Sequence, residues 1–69
     1  MRVYLVDCFY SDATGIDGFR VETFHIKAPD DNGGIREATT HASSKAPHHF
    51  HVRLGTKKGY STIYRSENA

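Results

Sequence analysis

The chain has 69 residues, one cysteine, no tryptophan and a formal net charge of +1. That length holds one domain, residues 1–69, and a single cysteine excludes both an internal disulfide and a zinc site built on thiolates alone. Apolar residues at 38% and aromatic residues at 12% exclude a disordered, charge-dominated chain, yet leave only a thin core to hold the fold.

Residues 2–10 read as the first strand. Tyr4, Val6, Cys8 and Tyr10 alternate with Val3, Leu5, Asp7 and Phe9, and both sets are mostly apolar, so this strand belongs in the middle of a sheet. Residues 11–18 are dense in turn formers and predict a wide loop. Residues 19–27 predict a second, antiparallel strand. Its apolar residues change side, with Phe19 and Val21 on one face and Phe24 and Ile26 on the other; a bulge near Glu22 and Thr23 would reconcile them.

Residues 28–34 form a loop in which Asp30, Asp31 or Asn32 can cap a helix. Ile35, Ala38 and Ala42 recur at helical spacing and predict a short helix over 33–45, its alanines lying close on a sheet. Pro47 biases Ala46 away from helical geometry and ends it. Residues 49–54 predict a third strand with Phe50, Val52 and Leu54 inward and His49, His51 and Arg53 outward. Residues 55–59 then make a hairpin turn, 60–65 a fourth strand and 66–69 a frayed tail. The fold class is therefore α+β: a β-β-α-β-β domain with a four-stranded antiparallel or mixed sheet and one helix on one face.

Charge divides along the chain. Residues 1–31 carry three basic against six acidic side chains, whereas residues 32–69 carry six basic against two acidic, with four of the five histidines. Such asymmetry favours an acidic partner, nucleic acid or protein, or else attraction between the two halves within the fold. The basic cluster comprises Arg53, Lys57, Lys58, Tyr60, Tyr64 and Arg65, with His49 and His51 nearby; of these Arg53, Lys57, Lys58, Tyr60, Tyr64 and His51 are the expected partner-binding residues. Lysines at a hairpin tip and tyrosines on a strand suit contact with phosphates and bases, and also contact with proteins. Residues 58–63 (KGYSTI) echo part of an RNA-recognition signature, but Thr62 and Arg65 stand where stacking aromatics belong.

His49 and His51 share a strand face and can offer two imidazoles to one metal ion. No spacing supplies the third ligand, for which His25, His41, Cys8 or a carboxylate are candidates, so a metal-dependent enzyme is a remote alternative and no cofactor is implied. Cys8 lacks any local oxyanion donor and reads as a small core residue. The glycines fit no nucleotide fingerprint, and the aspartates fit no calcium loop.

The order of elements, carried by residues 19–27, 35–42 and 50–54, resembles small phage-encoded inhibitors of host machinery, among them inhibitors of bacterial RNA polymerase and anti-CRISPR proteins. That resemblance is one of architecture. It implies a non-enzymatic interaction protein that occupies a functional surface of a larger nucleic-acid-processing complex of a host cell. A small nucleic-acid-binding domain using the same hairpin face is the alternative. Homodimerisation through an unpaired sheet edge is compatible with both. Met1 to Cys8 lacks a signal-peptide pattern, no stretch is long enough to span a membrane, and a free thiol suits a reducing compartment, so a cytoplasmic protein without a membrane partner is expected.

Overall fold

The computed structural model describes residues 1–11 and 19–68. The expected loop over 11–18 therefore lies almost wholly outside the described residues. Four strands, β1 (Arg2–Ser11), β2 (Phe19–Ala28), β3 (His49–Thr56) and β4 (Gly59–Arg65), form one antiparallel sheet in the order β2-β1-β3-β4. Helix α1 (Asp31–Lys45) covers one face, and a 3-10 turn, Ser66–Asn68, closes the described chain. This is the expected α+β architecture, with β1 central and the sheet wholly antiparallel. No helix among the described residues is long and apolar enough to cross a membrane.

The covered face follows from alternation. Tyr4, Val6 and Cys8 of β1 are fully buried beside Val52 and Phe50 of β3, and Ala38 and Ala42 of the helix close over them. The helix presents only Gly34, Ala38 and Ala42 as buried residues, so it settles very close to the sheet. A Cβ on Gly34 would stand 2.9 Å from the Tyr4 ring, which is why glycine occupies that position.

The helix begins two residues earlier than 33. Asp30 is the N-cap, with extended backbone, and its side chain accepts from the Gly33 amide at 2.7 Å. Asp31, in the first turn, accepts from the Tyr4 hydroxyl at 2.7 Å and from Arg2 at 3.1 Å. These bonds tie the helix start to the central strand and put a carboxylate at the positive end of the dipole. At the other end Ala46 is left-handed (φ 51°), and its amide donates to Ala42 at 2.9 Å.

Three expectations are corrected. First, β1 and β2 pair residue for residue from Arg2 opposite Ala28 to Ser11 opposite Phe19, with no bulge at Glu22 and Thr23. Phe24 and Ile26 lie on the helix side, and Val21, half exposed, simply stays on the open side of an edge strand. Second, the irregularity sits in β4: Val52 pairs with Tyr64 and Arg53 with Thr62, leaving Ile63 as the extra residue. Third, residues 66–68 form a 3-10 turn set against β3 instead of a free tail. Ser66 Oγ accepts from the Phe50 amide at 2.9 Å, and Glu67 meets His51.

Candidate functional site

The face of the sheet opposite the helix is the candidate site. Odd-numbered residues of β1 occupy it: Val3, Leu5, Asp7 and Phe9. The register adds Thr23, His25 and Lys27 from β2, and His49, His51 and Arg53 from β3. Tyr60, Thr62 and Arg65 come from β4. Strand alternation alone explains why these side chains share one surface.

Two constellations order it. At the centre, Asp7 is buried and accepts three bonds: from Thr23 Oγ1 at 2.7 Å, Arg53 Nε at 2.7 Å and Arg53 Nη2 at 3.0 Å. A carboxylate in the middle of an apolar strand requires such partners, and the bidentate guanidinium supplies them. Arg53 also lies 5.4 Å from the centre of the Tyr60 ring. Gly55 makes room for that ring, since a Cβ there would meet Tyr60 Cε1 at 3.1 Å. One acid from the negative half of the chain thus holds one base from the positive half.

The second constellation lies towards the other end of β3. The Phe9 ring stacks on His49 at 4.5 Å with 7° between planes, and packs against His51 at 4.8 Å. His48 Nδ1 and His49 Nδ1 are 2.9 Å apart, and His51 Nε2 is 2.6 Å from Glu67 Oε1. Partial desolvation works against ionisation of Glu67, but its bonds from His51 and from its own backbone amide outweigh this and hold the carboxyl below the usual range. His49, His51 and Glu67 each offer a ligand atom, all within 4.8 Å of one another.

Of the sequence-predicted partner-binding residues, Arg53, Tyr60 and His51 share the open face, and Lys57 and Lys58 form the exposed tip between β3 and β4. Tyr64 does not join them. It pairs with Val52 on the helix side and packs against Phe50 at 5.6 Å. Tyr60 and Tyr64 are four residues apart and would share a face of a regular strand, but the extra residue, Ile63, turns them to opposite sides. Arg53, moreover, is already engaged by Asp7.

His49 and His51 gain a third potential ligand in Glu67, which sequence reading placed in a frayed tail. Nothing periodic in residues 66–68 announces that docking. Asp7 had a visible signal, a charge within a central strand, but its partners Thr23 and Arg53 depend on register. Cys8 is fully buried beneath the helix, where burial pushes its thiol up. A thiol so placed fits packing better than nucleophilic attack. No protein-family model, curated protein or solved structure matches the chain.

Proposed function

We propose that the protein is a non-enzymatic interaction module that docks through its open sheet face and basic hairpin onto an acidic surface of a larger protein assembly. The observation that carries this reading is the unequal treatment of the two sheet faces. The helix covers one, while the other presents Val3 and Tyr60 (40% and 55% exposed) amid polar and cationic side chains. Among the described residues, Lys27, Arg53 and Arg65 on that face and Lys57 and Lys58 at the adjoining tip stand against Asp7 and Glu67. Exposed aromatic and aliphatic groups with a cationic rim suit a protein interface of complementary charge.

Three details favour a protein over nucleic acid. The Phe9 ring is occupied by two imidazoles instead of presenting a stacking platform, and Arg53 already satisfies Asp7. Only one of the two tyrosines of β4 lies on that face. The resemblance to phage-encoded inhibitors supplies the partner class, a nucleic-acid-processing complex of a host cell, and with it a role as inhibitor in the cytoplasm.

The test is capture from a bacterial lysate with the wild-type chain and with Lys57→Glu/Lys58→Glu, each with and without nuclease. A specific protein retained by the wild type, resistant to nuclease and lost in the double variant, supports the reading. Capture that nuclease abolishes replaces it with the nucleic-acid alternative, whose affinity then falls steeply with salt.

A further inference from the structure

We propose that His49, His51 and Glu67 form a binding site for a divalent transition-metal ion of the zinc class. This site goes beyond the docking reading and depends on neither the hairpin lysines nor any partner.

The argument starts from chemistry. Two imidazoles and one carboxylate are a mixed nitrogen–oxygen donor set, suited to zinc, cobalt or nickel and poorly suited to magnesium or calcium, which favour all-oxygen shells. Three protein ligands leave a coordination position for water. The backbone supplies the pairing: His49 and His51 are two residues apart on β3 and so project from one face. The 3-10 turn after β4 then delivers Glu67 to the same place, anchored one residue earlier by the Ser66 bond to Phe50.

Geometry is close to what an ion needs. The three donor atoms lie within 4.8 Å of one another, with His51 and Glu67 at 2.6 Å. Around a tetrahedral ion with bonds of about 2.1 Å, donors sit about 3.4 Å apart, so side-chain rotations of about 1 Å suffice. Glu67 is exposed and can make that adjustment. The imidazoles are positioned by packing: His49 lies flat on Phe9, and His51 rests against the same ring. His48 contacts His49 through Nδ1, the kind of outer contact that orients a ligating imidazole. An ion here would replace the His51–Glu67 hydrogen bond with two metal bonds and pin the chain end to β3, coupling occupancy to stability.

The test uses the full chain without a histidine tag. Co²⁺ is titrated while d–d absorption is followed, then displaced by Zn²⁺, whose affinity is measured by calorimetry. The expected result is one saturable site per chain, a visible Co²⁺ spectrum of low coordination number and a Zn²⁺-dependent rise in melting temperature, with no response to Mg²⁺. Glu67→Gln and His49→Gln each weaken Zn²⁺ binding at least about tenfold, while His25→Gln and His41→Gln leave it unchanged. Circular dichroism of each variant confirms that the fold persists. Absence of saturable Zn²⁺ binding overturns the proposal, as does an affinity indifferent to Glu67→Gln, which would mean that the histidines act without the carboxylate.

Discussion

Replacing Asp7 by asparagine keeps the shape of the side chain and removes the charge that Arg53 grips. Asp7 is 8% exposed and accepts two bonds from Arg53 and one from Thr23. An asparagine amide presents two donors where the carboxylate had only acceptors, so at least one bond from Arg53 or Thr23 is lost. Hydrogen bonds to a charged group contribute about 1.5–3 kcal/mol each, against about 1 kcal/mol for neutral pairs. Breaking a fully buried ion pair from one side costs about 3–5 kcal/mol. The Arg53 side chain, however, is 34% exposed and recovers water when released. That discount brings the expected loss to about 2 kcal/mol.

For a domain of this size each kcal/mol moves the melting temperature by about 4–8 °C, so the variant should melt about 8–16 °C lower. Urea unfolding at neutral pH, followed by circular dichroism, measures the free energy; an unchanged m-value attributes the loss to the folded state. Arg53→Met alone and combined with Asp7→Asn completes a double-mutant cycle, with an expected coupling of at least about 1 kcal/mol. A loss below about 0.5 kcal/mol in Asp7→Asn would refute the assignment of Arg53 and Thr23 as the groups that make this buried charge tolerable.

Three further outcomes are expected. Gly34→Ala should cost about 1–2 kcal/mol, because overpacking against the fully buried Tyr4 ring exceeds the gain of about 1 kcal/mol in helix propensity. Gly33→Ala should lie within about 0.5 kcal/mol of wild type, since the gain in helix propensity is offset by strain on the Asp30 cap, whose Oδ1 the new methyl group would meet at 3.2 Å; thermal melts of the pair separate packing from propensity. Deleting residues 66–69 should lower stability by about 1 kcal/mol by removing the acceptor of the Phe50 amide, with slowed hydrogen exchange at that amide lost as the direct readout.

Alkaline pH should also weaken the fold. Burial raises the Cys8 thiol above its ordinary 9.0, and burial together with the Asp31 hydrogen bond raises Tyr4 above its ordinary 10.0. Both groups stay protonated in the folded chain after the unfolded chain has released its protons. Their contribution is complete below the ordinary values and lost as pH rises through them and beyond. Melting temperatures from neutral pH upwards should fall above pH 9, and Tyr4→Phe should flatten the part of the decline above pH 10.

Much of this molecule is written in local pattern. The alternation of Tyr4, Val6 and Cys8 with Val3, Leu5 and Asp7 marks a central strand because side chains of a strand repeat every two residues. Asp30, the spacing of Ala38 and Ala42, and Pro47 delimit a helix for equally local reasons, namely capping, the 3.6-residue turn and the geometry before proline. Those features determine an α+β sheet with one covered face. Tertiary structure alone decided what the open face holds. Asp7 finds Arg53 across 46 residues of chain, a pairing set by register between β1 and β3. Glu67 reaches His51 only because the turn after β4 docks against β3. Ile63, left unpaired in the ladder, sends Tyr60 and Tyr64 to opposite sides although their spacing assigns them to one. Register, docking and bulges are settled by contacts between distant segments competing for the same core, and a period read along one strand carries no record of that competition.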